Sequence, residues 1–165
     1  MNNLVVIGVG QTMRGDDAVG VIAVESWQTQ YPDTANLPEV QVEISELPGL
    51  NLLELLSGAK FALIVDAVQS GRPAGEIHIL DEQAISAFEP GTGSVHGWGV
   101  AETIQLGHKL GRADLHRSLM IIGITAQQFE IGSSLSPEIM ENLPNIIDEI
   151  ENQVRAALQV EGLKP

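Results

Sequence analysis

Cysteine is absent from the 165-residue chain. That excludes structural disulfides, thiolate metal sites and a cysteine nucleophile. Basic residues are scarce: 8 Lys plus Arg stand against 22 Asp plus Glu, a formal net charge of -14. Such a surface repels phosphate backbones, so no nucleic-acid partner is expected, whereas a basic partner or a cation would be attracted. No apolar run approaches the roughly 20 residues of a membrane-spanning helix. Met1-Asn2-Asn3 followed by Leu4 to Gly10 has neither the basic region nor the cleavage site of a signal peptide. A cytoplasmic protein with no membrane partner is the expectation. Two hydrolase signatures are also missing. There is no H-E-x-x-H zinc helix and no G-x-S-x-G nucleophile elbow, although Ser94 and His96 are near neighbours.

What is present is a globular pattern. Hydrophobic residues make up 44% of the chain, and its length suits one domain over 1–165. Leu4 to Ile7 and Phe61 to Val65 are continuous apolar runs that read as buried parallel strands, with Asp66 ending the second. Val40 to Ser45 alternates like a half-buried strand, and Leu119 to Ile122 reads as the last one. Glu76 to Leu80 follows Asp66 too closely for a crossover helix, so these two strands are expected to pair antiparallel. Helical spacing marks Ala18 to Tyr31, Leu50 to Ser57 and Val100 to Leu110, with a shorter segment from Asp81 to Phe88. Ser136-Pro137 opens a final helical region as N-cap and first turn, and Pro144 is expected to break it. Alternating strands and helices imply an α/β fold: a three-layer α/β/α sandwich around a mixed, mostly parallel sheet of about five strands.

Sites in open α/β sheets gather beyond the carboxyl ends of the strands. Three polar segments fall there: Gly8 to Asp17, Asp66, and Ser94 to Gly99. The first is not a dinucleotide fingerprint, because Met13 stands where G-x-G-x-x-G needs glycine. Asp16 and Asp17 would moreover oppose a pyrophosphate at the following helix. One aspartate could cap that helix, which leaves the second carboxylate unexplained. Asp66 could be a turn former and His96 a loop histidine, while His78, His108 and His116 read as structural. Taken together, two carboxylates and one imidazole at a sheet edge can ligate a divalent metal and leave positions open for water or substrate.

Gly8-Val9-Gly10-Gln11-Thr12-Met13-Arg14-Gly15-Asp16-Asp17-Ala18-Val19-Gly20 resembles the N-terminal motif of the nickel-iron hydrogenase maturation endopeptidases of the HybD, HycI and HoxW type. Ile64-Val65-Asp66-Ala67 resembles that family's strand with a metal-binding Asp, and Ser94 to Thr103 resembles its histidine segment, most closely in members serving bidirectional hydrogenases. The resemblance implies an endopeptidase that removes the C-terminal extension of a hydrogenase large-subunit precursor after nickel insertion. It implies Asp17, Asp66 and His96 as the metal-contacting set, with Asp16 nearby as a candidate water-orienting base. The metal would be nickel carried by the precursor, with no resident cofactor, and the free enzyme would be a monomer. Gln11 replaces the usual Asn, and Glu46-Leu47-Pro48-Gly49 replaces D-G-G-T, so that Glu46 is a candidate stand-in for its Asp. The alternative is a non-catalytic nickel chaperone or assembly scaffold that uses the same three residues.

Overall fold

Strand β1 (Leu4–Val9) is buried at every position, as its unbroken apolar run requires of a strand covered on both faces. The computed structural model describes residues 4–46, 49–81, 83–84, 99–112 and 118–160. After β1 a 3-10 turn, Gly15–Ala18, leads into α1 (Val19–Gln30), and Pro32 starts a short second helix, α2 (Pro32–Ala35). The chain continues through β2 (Val40–Ser45), α3 (Leu50–Leu56), β3 (Phe61–Val68), β4 (Ile77–Asp81), α4 (Val100–Lys109), β5 (Ser118–Thr125) and α5 (Pro137–Val160). The five strands form one sheet in the order β2-β1-β3-β5-β4, parallel except for the edge strand β4.

Side-chain alternation divides the core in two. Leu4 and Val6 of β1, with Leu63 and Val65 of β3, face α1 and α5 around Trp27, Ile139 and Ile146. Val5, Ile7 and Val9, with Ala62 and Ile64, face α3 and α4 through Leu52, Leu53, Val100 and Ile104. The three-layer α/β/α arrangement is thereby established. A buried charge locks the first of these layers. The Trp27 indole N–H donates to Glu151 Oε2 at 2.9 Å, the Thr34 hydroxyl donates to Oε1 at 2.8 Å, and Arg155 donates to the same carboxylate. Glu151 thus joins α1, α2 and α5, its charge compensated by a cation and two further donors.

Three sequence expectations are corrected. Strand β4 pairs antiparallel with β5 and not with β3, because β5 inserts between them: Asp66 lies opposite Gly123, and Gly123 opposite His78. Strand β3 runs on to Val68, so Asp66 sits inside it instead of ending it. Helix α5 continues through Pro144, which is exposed, so that water can satisfy the carbonyl left without its usual donor. The helix expected from Asp81 to Phe88 falls mostly outside the described residues.

Gly20 sets how closely α1 seats on the sheet. A Cβ there would lie 2.3 Å from the carbonyl oxygens of both Val9 and Val65, which are backbone atoms unable to yield. Gly20→Ala should therefore lower unfolding free energy by about 3 kcal/mol or more, through enforced displacement of the helix. Urea denaturation reads this directly, and an unchanged midpoint would refute the close approach.

Candidate functional site

The strand order fixes where a site can form. From β1 the chain crosses by way of α1 to β2 on one side, whereas β3 leads to β4 and β5 on the other. The carboxyl ends of β1 and β3 therefore flank the topological switch point, where open α/β sheets hold their ligands. The two strands are paired from Leu4 with Phe61 to Gly8 with Val65, so Asp66 comes just past the last paired row. By alternation Asp66 lies on the α3/α4 face of the sheet. It is buried, and its Oδ1 accepts the Ala67 N–H at 2.9 Å.

The 3-10 turn carrying Asp16 and Asp17 packs against β3. Asp17 is buried, and its Oδ2 accepts the backbone N–H of Gln11 at 3.1 Å. Because that donor belongs to the backbone, the extra methylene of Gln11 relative to Asn does not alter this contact. Gly10 folds the loop back onto the turn with φ +145°, and a Cβ there would lie within 2 Å of the Asp17 carbonyl oxygen.

Asp16, expected beside the water, has both oxygens directed to the segment between β5 and α5. Its Oδ1 accepts the Ser136 N–H at 2.6 Å. Its Oδ2 accepts the N–H groups of Gln127 and Gln128 and the Ser136 hydroxyl, each at 3.0 Å. The carboxylate is 0% exposed. It also takes the Ser136 hydroxyl that the sequence assigns to capping α5. Neither aspartate makes a side-chain cap on α1.

One residue stands nearer the site than spacing alone shows. Glu46, just past β2, accepts the Thr12 hydroxyl at 2.7 Å on the exposed side of the first loop. Beside it the Gly10 N–H donates to the Ser45 carbonyl at 3.1 Å. The signal in the sequence was its place just after the carboxyl end of a strand, as for the loop that carries Asp17. His96 and Ser94 lie outside the described residues, as do Leu47, Pro48 and His116. His78 is held by Thr125 Oγ1 at 2.8 Å, and His108 lies in the last turn of α4. Among the described residues no three His, Asp or Glu side chains form a metal-binding group. No helix among them is long and apolar enough to cross a membrane.

Comparison with known proteins gives this geometry a context. A family model for hydrogenase maturation proteases matches residues 35–153, and the chain belongs to that family. It is 28% identical over 147 residues to the hydrogenase expression/formation protein HupD of Thiocapsa roseopersicina, covering 88% of this chain but 64% of that protein. It is 26% identical over 163 residues to the hydrogenase 2 maturation protease of Escherichia coli, covering 98% of this chain and 93% of the other. The solved structure of the hydrogenase maturating endopeptidase HybD from E. coli superposes with a TM-score of 0.70 at 24% identity, over 98% and 94% of the two chains. At that identity the superposition speaks for the fold.

The hydrogen bonds of Asp16 predict a stability role. Asp16→Asn presents an NH2 group to a cluster of donors and leaves at least one buried N–H unsatisfied. A loss of about 2–3 kcal/mol is expected in chemical denaturation. A variant as stable as the wild type would show that these bonds contribute nothing.

Proposed function

We propose that this chain is an endopeptidase that removes the C-terminal extension of a nickel-iron hydrogenase large-subunit precursor after nickel insertion. In this reading Asp17, Asp66 and His96 recognise the nickel carried by the precursor. The observation that carries it is the placement of two buried carboxylates, Asp17 and Asp66, at the switch crevice of a hydrogenase maturation protease fold. The direction of α4 supports the third member. Arg112, just past α4, donates to Glu54 Oε1 at 3.0 Å, in the second half of α3, and to the Leu53 carbonyl at its middle. The helices thus share their C-terminal end, and each leads into a strand that runs back toward the crevice. In sequence His96 comes four residues before the opposite end of α4, and α4 itself packs on the face that carries Asp66.

Two carboxylates and an imidazole are suitable donors for a borderline divalent cation such as nickel, and three of them leave positions open. The bound ion supplies Lewis acidity and a fixed point of attachment. The residues of this chain hold the precursor so that one peptide bond is aligned for attack by water. Asp17 is itself fixed by the Gln11 N–H and by the Gly10 fold-back, so little reorganisation is needed on binding. Asp16 acts in this reading as a positioning residue for the turn that carries Asp17. Glu46, the exposed carboxylate past β2 that accepts the Thr12 hydroxyl of this loop, is the better placed proton acceptor.

Asp66→Asn and His96→Ala should each abolish release of the C-terminal peptide from nickel-loaded precursor while circular dichroism stays native. His78→Ala should retain processing. A folded His96→Ala variant that cleaves at the wild-type rate would overturn the three-ligand set. Nickel binding without peptide release by the wild type would instead indicate a chaperone. Because the site is open and weak, purified protein should lose its metal on dialysis. Stoichiometric zinc that survived dialysis would mark a resident cofactor.

A further inference from the structure

The loop that carries Asp17 and the segment from 126 to 136 form one rigid platform. Besides the four bonds to the Asp16 carboxylate, the Asp16 N–H donates to the Gln128 carbonyl at 2.7 Å, and the Gly132 N–H donates to the Met13 carbonyl at 2.8 Å. Gly15, with φ +55°, lets the two backbones approach: a Cβ there would lie 2.5 Å from the Gln128 carbonyl oxygen. Two large apolar side chains project from this platform into solvent, Met13 at 67% and Ile131 at 79% exposure. The Gly132 to Met13 bond brings the backbones that carry them together across the seam.

Arg14 lies between Met13 and the turn. Its Nε is buried without a hydrogen bond, and among the described residues its side chain makes no ion pair. The contrast with the other described arginines is informative. Arg72 lies 3.9 Å from Glu76, Arg112 lies 3.0 Å from Glu54, and Arg155 bonds Glu151. In a chain with 22 acidic residues, an arginine beside the site that pairs with none of the described ones is available to an external carboxylate. Methionine and arginine are also the residue types enriched in protein interfaces.

We infer that Met13, Arg14 and Ile131 form the docking platform for the precursor, receiving a segment that presents an apolar side chain beside a carboxylate. The inference rests on the proposed function, because the precursor is its occupant. The rest of this surface is acidic and disfavours an acidic segment, so Arg14 selects both its position and its orientation. The apolar pair supplies contact area, and the clasp of hydrogen bonds beneath keeps the platform ordered before binding.

The test measures KM and kcat for nickel-loaded precursor across wild type, Arg14→Gln, Arg14→Lys, Met13→Ser and Ile131→Ser, with thermal melts of each. The expected result for Arg14→Gln and for each apolar variant is a KM raised about fivefold or more, with kcat changed less than about twofold. Arg14→Lys should fall between Arg14→Gln and wild type, and Arg14→Gln should lose the rise of KM with salt that the wild type shows. Wild-type KM in Arg14→Gln, equal KM in the Lys and Gln variants, or losses confined to kcat or melting temperature would each overturn the platform. If the wild type binds this precursor without cleaving it, the proposed function fails. Co-precipitation of the same precursor with the five proteins then still reads the platform, and equal recovery would overturn it.

Discussion

The arrangement at the crevice depends on a single buried carboxylate. Asp16 accepts four hydrogen bonds, three from backbone N–H groups and one from a hydroxyl, all belonging to residues 127–136. A carboxylate out of water is tolerated only when its lone pairs are met by donors, and here neutral dipoles fulfil that condition without a cation. The geometry has a consequence for the neighbouring residue. Once Asp16 is directed toward the β5–α5 segment, the tight 3-10 turn directs Asp17 differently, and its Oδ2 meets the Gln11 N–H. One aspartate anchors the loop so that the other is presented at the switch point. The adjacent pair is thus not a redundant double charge: Asp16 holds the loop, and Asp17 is the one the proposed function assigns to binding.

Seating α1 on the sheet completes this constraint. Glycine at position 20 brings the helix within backbone distance of β1 and β3, and glycine at position 10 folds the loop against Asp17. On the far side Glu151 fastens α1 to α5 through Trp27 and Thr34. Helix α5 starts immediately after Ser136, the residue that donates twice to Asp16. The site loop is consequently fixed at its base by α1 and at its rim by the approach to α5. In the proposed reading, preorganisation of this kind lets the ligand set align the precursor without first ordering itself.

Much of this was legible in the sequence, for a physical reason that also marks the limit. Strands buried on both faces need unbroken apolar runs, so β1 and β3 could be read from Leu4 to Ile7 and from Phe61 to Val65, and the site followed at their carboxyl ends. The short interval between Asp66 and Glu76 correctly ruled out a crossover helix. It could not identify the partner of β4, because the strand that inserts beside it comes some forty residues later. Pro144 carried a breaking signal that the exposed face of α5 absorbs. The role of Asp16 was out of reach for the same kind of reason: Ser136, one of its donors, lies 120 residues away. Local spacing reveals what a residue can do, and long-range contacts decide which of two adjacent aspartates does it.

Charge follows the same logic at larger scale. A chain of net charge -14 has ample carboxylates to pair every arginine, and Arg72, Arg112 and Arg155 each have a glutamate. Arg14 is kept from one by its position. The Asp16 carboxylate two residues on faces the opposite segment, and the Asp17 Oδ2 accepts the Gln11 N–H. Glu46 holds Thr12. An acidic protein has little electrostatic means of capturing another acidic surface, since like charges slow encounter at a distance. In the proposed docking, the Arg14 guanidinium next to the exposed Met13 overcomes this locally, because the attraction acts only within a Debye length of roughly 8 Å. The proposed docking thus centres on a small patch three residues from Asp17. Hence, in the proposed reading, the constraint that presents Asp17 to the metal also leaves Arg14 for the precursor.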